Sequence, residues 1–206
     1  MIEELLKEWK MNEVAETWYE EVAADEKLTQ GDIIDDCPIV TWRAESPSLE
    51  IIDHSERLKT MVEAIVANVV VMSQTCDLKE DKVNKVVLCP YVALSEHKSY
   101  WEAFMRERGQ NPTSKTWKAH CDDICDGFIW NLTILNEKRN SGISTEHLIV
   151  DFHDIFTIPR VFLESYLHQR GHPRLRLLPP YREHLSQSFA RYFMRVGLPI
   201  SVATAW

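Results

Sequence analysis

Val69-Val70-Val71-Met72-Ser73-Gln74-Thr75-Cys76-Asp77-Leu78, then a charged turn from Lys79 to Lys85, then Val86-Val87-Leu88-Cys89-Pro90-Tyr91-Val92: the fold turns on these stretches. Both apolar runs are short, rich in β-branched residues and bounded by polar ones, which is the pattern of strands. The polar, fairly short connection between them predicts antiparallel neighbours. Upstream, Gly31-Asp32-Ile33-Ile34 opens a strand that runs toward Ile39-Val40-Thr41-Trp42, and residues 44–60 read as a loop or short helix around Pro47. Downstream, Phe128 to Leu135, Leu148 to Phe152 and Arg174 to Leu178 read as further strands. Alternation in the last of these sets its arginines on one face.

Helical segments flank and interrupt these strands. Residues 2–22 contain neither Gly nor Pro and are predicted helical, with Leu5 and Trp9 on one stripe and Val14, Trp18 and Val22 on another. Residues 1–28 are thus expected to form an acidic helical head, and residues 29–206 one domain. A helical insertion is expected over about 95–125, with Ser95 as N-cap, Tyr100, Trp101, Phe104 and Met105 as its apolar stripe, and a second helix from Ser114 to Ile124. Val161 to His168 suggests a short helix. A C-terminal helix over about 180–197 follows Pro179-Pro180, with Leu185, Phe189, Tyr192, Phe193 and Val196 on its apolar face. About six short strands, with helices inserted late and at the ends, make an α+β pattern and not alternating βαβ.

Composition narrows the class. The 206 residues are 45% hydrophobic, enough for a full core in one domain. The longest mainly apolar run, Ala64 to Met72, is interrupted by Asn68 and too short to span a bilayer. The first turn, Met1-Ile2-Glu3-Glu4, has no leader pattern, so a cytoplasmic protein is expected. Five cysteines, an odd number, read as reduced thiols and not as a disulfide framework. The net charge of −9 is uneven: residues 1–36 carry −9, residues 37–156 carry −5 and residues 157–206 carry +5. An acidic head and a basic tail predict ends that attract each other or meet different partners.

The succession Gly31-Asp32-Ile33, Val69-Val70-Val71-Met72-Ser73 and Val86-Val87-Leu88-Cys89-Pro90 resembles the MazF/PemK toxin family, over roughly residues 29–93 and more loosely after 128. The resemblance implies a small SH3-like, curved β-barrel, a homodimer and a toxin–antitoxin or defence setting. It implies no cofactor. In that family an Arg in the loop after the first strand and a Ser or Thr at the end of the next matching strand cleave RNA, the ribose 2′-OH attacking the adjacent phosphate. A guanidinium fork suits the phosphorane charge and a hydroxyl adds a hydrogen bond. The resemblance thereby points to Ser73 and Thr75, with Arg43 or Arg57 as the cation.

Where the family shows Arg-Pro, this chain has Glu63-Ala64-Ile65-Val66-Ala67-Asn68. That departure favours a catalytically degenerate regulatory or binding protein, with a protein partner on the helical head. The alternative is a divergent, metal-independent endoribonuclease acting on single-stranded RNA. Short polar residues after a strand, such as Ser73 to Asp77, also suit turn formation alone.

Three other groups carry potential chemistry. Arg174, Arg176 and Arg182, in the one basic region, are candidates for an RNA backbone. His120, Cys121 and Cys125 are weak zinc candidates: on a helix the cysteines share a face from which His120 points away, so no metal is expected. His147, Asp151, His153 and Asp154 offer acid/base chemistry or an ordinary polar sheet surface.

Overall fold

The computed structural model describes residues 17–43, 59–139 and 142–194. Its strands are β1 (Tyr19–Val22), β2 (Asp32–Trp42), β3 (Val62–Val71), β4 (Lys85–Ala93), β5 (Leu132–Leu135), β6 (Leu148–Asp151), β7 (Phe156–Pro159) and β8 (Arg174–Leu177). They form one eight-stranded sheet in the order β1-β8-β2-β3-β4-β6-β5, with β7 also on β4. Every pairing is antiparallel. The helices are α1 (Thr75–Lys79), α2 (Leu94–Glu107), α3 (Ser114–Cys125), α4 (Arg160–Arg170) and α5 (Tyr181–Phe193). Among the described residues no helix is long and apolar enough to cross a membrane.

The α+β class holds, but the expected barrel does not: the sheet is open. Closure needs a backbone ladder between the end strands, and among the described residues β1 pairs only with β8 and β5 only with β6. Among the described residues, side-chain hydrogen bonds bridge the gap. The Tyr19 hydroxyl donates to the Asn136 carbonyl at 2.5 Å. Glu21 accepts from Lys138 Nζ at 2.7 Å and from the Ile143 N–H at 2.9 Å.

The valine run of β3 explains the layering. A strand with one wet face alternates, whereas Val69, Val70 and Val71 are all fully buried. Val70 and Met72 join a cluster with Tyr91, Leu135, Phe152, Leu175, Leu177 and Leu185 of α5. Val69 and Val71 join Leu78 of α1, Val86, Leu88, and Leu163 and Leu167 of α4 on the other face. Each such side chain contributes about 1.5–3 kcal/mol by leaving water. Beyond this covered centre β2 and β3 run on as a two-stranded arm. Pro38, Val40 and Trp42 of the arm lie opposite Val66, Ala64 and Val62, and Val40, Trp42 and Val66 are exposed.

Two backbone features fix β2. Gly31 sits at φ 85°, and a Cβ there would lie 2.9 Å from Leu177 Cβ, so only glycine lets β2 and β8 approach. A bulge between Ile34 and Cys37 then turns the strand. It presents Asp35 to the Tyr91 hydroxyl and the Asp36 N–H to Asn68 Oδ1 at 3.0 Å.

Other expectations need correction. Tyr19 to Val22 is a strand and not helix, because pairing with Arg174–Leu177 buries Tyr19 and Val22 and outweighs local helical preference. The rest of the predicted head, residues 1–16, lies outside the described residues, as do Val196 and Arg57. The strand predicted from Phe128 begins only at Leu132, since Leu132 N–H bonds back to the Ile129 carbonyl in a turn. Phe156–Pro159, unforeseen, pairs with β4. Ser95 is not an N-cap: Ala93 takes that place, and Ser95 binds Glu146 through its hydroxyl and N–H. The true capping box is Thr113 with Thr116, at the start of α3. The α2 stripe is not a core stripe, for α2 buries no residue.

Candidate functional site

A cleft of about 780 Å³ runs along β5, a size typical of ligand sites. Its floor is the strand itself, Leu132 to Leu135, continuing to Asn136. One wall is α5, with Tyr181, His184, Ser188 and Arg191; the other is the end of α3 and the turn through Gly127 and Trp130. Trp18 closes one end, stacked on Tyr181 with ring centroids 3.9 Å apart and 12° between planes.

Among the described residues the floor is a sheet edge with no strand beyond it. Phe152 N–H bonds to the Asn131 carbonyl, which makes Leu132 and Asp151 a non-hydrogen-bonded pair. By alternation Thr133 and Leu135 spend their backbone groups on β6, while the N–H and C=O of Ile134 point outward. Four residues make a short edge.

Arg191 supplies the charge of the cleft. Its guanidinium lies 5.4 Å over the Trp130 ring, and among the described residues it has no ion-pair partner. Gly127, at φ 74°, leaves room for it: a Cβ there would stand 2.9 Å from Arg191 Nη1. His184 and His147 line the same cleft, with Asp126 as the one carboxylate.

The residues singled out from sequence scatter. Ser73 Oγ accepts the Val87 N–H at 2.8 Å and so serves the β3–β4 connection. Thr75 begins α1, its hydroxyl buried without a partner among the described residues. Arg43 pairs its N–H with the Met61 carbonyl at the far end of the arm. The ten residues of β3, about 30 Å of extended chain, separate that end from Ser73. The structure therefore does not bring Arg43 to either hydroxyl.

The tail arginines turn inward. Arg174 Nε bonds to Asp32 at 2.7 Å, with its side chain 4% exposed, and its other nitrogens reach the carbonyls of Ala23, Glu26 and Lys27. Arg176 Nε bonds to the other Asp32 oxygen at 2.5 Å. Arg182 pairs with its neighbour Glu183 at 2.7 Å. Arg174 and Arg176 thus hold the Asp32 corner together and offer little to a phosphate.

The remaining candidates separate too. His153 faces Asp151 at 3.3 Å, but His147 turns to Glu137 at 3.7 Å. The Cys121 and Cys125 thiols are raised above their usual range, chiefly by burial, and His120 faces His97 instead of either cysteine. Among the described residues no group of three or more His, Cys, Asp or Glu side chains gathers as a metal site.

Sequence reasoning had the parts of the cleft but not their meeting. Arg191 and Tyr181 stood in the basic, aromatic tail and Trp18 in the head. The one available signal was the long polar connection after Leu135, which leaves β5 at an edge. No family model, no curated protein and no solved structure matches this chain.

Proposed function

We propose that this chain is a non-catalytic binding protein that takes an extended, acid-bearing segment of a protein partner as an added strand on β5. The observation that carries the reading is the outward N–H and C=O of Ile134 on the floor of a cleft. Strand addition supplies main-chain hydrogen bonds, and pockets on either side select side chains. Arg191 provides the charge for a carboxylate. Stacking of a nucleobase has less support, since Tyr181 is already covered by Trp18 and Trp130 faces Arg191. A place in a toxin–antitoxin or defence system rests on the resemblance alone; RNA cleavage through Arg43 loses support from its separation from Ser73, and Arg57 lies outside the described residues.

The test is selection of random linear peptides on the immobilised full chain, followed by binding to two variants. Ile134→Pro removes an N–H that no ladder uses, so the edge strand tolerates it. Selected peptides should carry acidic residues and bind this variant about tenfold more weakly, the equivalent of about 1.4 kcal/mol of main-chain hydrogen bonding. Arg191→Glu should weaken them as well. Failure to select any linear peptide, or equal binding to both variants, overturns the reading. Tight binding of a mixed-sequence RNA that Arg191→Glu abolishes would replace it.

A further inference from the structure

The slot along β5 has two unlike walls, and the pleat of the strand assigns side-chain positions to each. Leu135 shares a buried cluster with Leu148, Val150 and Leu185 of α5, so α5 covers the face to which Leu135 and Thr133 point. Ile134 points the other way, as does its ladder partner Ile149, which is buried outside that cluster. All four consecutive residues of β5 line the cleft. A slot along an edge meets every residue in this way, whereas a hollow on one face meets alternate side chains.

The α5 wall offers hydrogen-bond donors in Tyr181, His184, Ser188 and Arg191. The wall formed by the end of α3 and its turn offers Ile124, Ile129 and Trp130, together with the Asp126 carboxylate. The ends correspond as well. Tyr181 stacks on Trp18 at the Asn136 end, and Arg191 lies over Trp130 at the Leu132 end. From Tyr181 to Arg191 the helix rises about 15 Å, against about 13 Å for the four residues of β5.

We propose that the segment taken up by β5 is an amphipathic strand in which acidic and apolar residues alternate, the acids toward α5 and the apolar side chains toward the α3 turn. This rests on strand addition at β5 and adds to it the pattern of the partner. An antiparallel partner, the only kind of pairing among the described strands, sets its residue opposite Ile134 on the Ile134 face. That residue is apolar and meets Ile129 and Trp130. Its neighbours fall opposite Thr133 and Leu135 on the α5 face, where Arg191 pairs with a carboxylate and Ser188 bonds a polar side chain. An acid in the other phase would face Asp126, and like charges side by side weaken binding. Arg191 stands at the start of β5, so in an antiparallel partner the acid follows the apolar residue in sequence.

The experiment is fluorescence anisotropy on the full chain with two labelled nonapeptides of one composition. In the first, glutamate and isoleucine alternate; in the second, the same residues stand in two blocks. The alternating peptide reaches the right phase by sliding one residue, and the block peptide cannot. It should bind about tenfold more tightly than its isomer and slow hydrogen exchange at the Ile134 amide. Arg191→Glu and Ile129→Asp should each weaken it about tenfold. Equal binding of the two isomers, weakened for both by Ile134→Pro, overturns the alternation and leaves strand addition standing. Tighter binding of the block peptide, or no binding of either, overturns it as well. The exchange measurement needs no variant, and binding without slowing at Ile134 overturns the proposal too. Failure to select any linear peptide overturns strand addition, and this inference with it.

Discussion

Replacing Asp32 with alanine removes the acceptor on which two guanidinium groups converge. Asp32 is fully buried and accepts from Arg174 Nε, from Arg176 Nε and Nη2, and from the Thr29 N–H. Breaking a buried ion pair from one side costs about 3–5 kcal/mol, because the remaining charge loses its compensation. Here the carbonyls of Ala23, Glu26 and Lys27 still hold Arg174, and Lys27 also holds Arg176, so the lower end applies. About 3 kcal/mol in a chain of this size lowers Tm by about 6–12 °C. The assay is urea unfolding, in which the midpoint should fall while the slope stays constant. Adding Arg174→Met to Asp32→Ala should recover part of the loss, since it removes the stranded charge. Arg182→Ala, at a half-exposed pair, should cost under about 1 kcal/mol. A loss below about 1 kcal/mol for Asp32→Ala, or no recovery in the double variant, would refute the reasoning.

Two further outcomes follow from named contacts. Lys138, and after it the Ile143 N–H, hold the Glu21 carboxyl below its usual pKa, so its stabilising effect is present above the ordinary carboxylate range and fades as pH falls through the depressed value. Tm against pH for Glu21→Gln should therefore run below the parent at neutral pH and meet it in acid; parallel curves would remove the bridge from the account. Burial pushes the Cys37 thiol up to about 11 and the Cys89 thiol up to about 12. A thiol reagent should thus modify Cys76, Cys121 and Cys125 in the native protein and reach Cys37 and Cys89 only in denaturant. Uniform reaction of all five would contradict the two-faced core.

The central strands were legible because a run of β-branched residues between polar turns has few other solutions, and Val69 to Val71 is such a run. α5 was legible from its apolar spacing and the prolines before it, and α3 was placed as a short helix without its cap. What could not be read locally was pairing across long separations. Tyr19 to Val22 looks helical until β8 is beside it, more than 150 residues later. The same holds for charge. Arg174 and Arg176 count toward a basic tail in sequence, yet both turn to Asp32, and a residue count carries no burial. The strand pattern put Ser73 just past the end of β3 but could not show that Arg43 sits at the other end of that strand. The cleft escaped for the same reason: Trp18, Ile134 and Arg191 belong to three distant segments that only the folded sheet brings together.

Sheets whose ends meet through a backbone ladder open only by giving up several cooperative bonds at once. In this protein one phenol, one ammonium group and one carboxylate latch the two ends. Such a latch answers to ionic strength in a way that a ladder does not. Asn136 belongs to the latch and also to the cleft, and Trp18 stands next to Tyr19 in the chain. Only the Lys138–Glu21 contact of the latch is ionic, so it alone is the part that dissolved salt weakens, while the valine-rich centre of the sheet is dry on both faces.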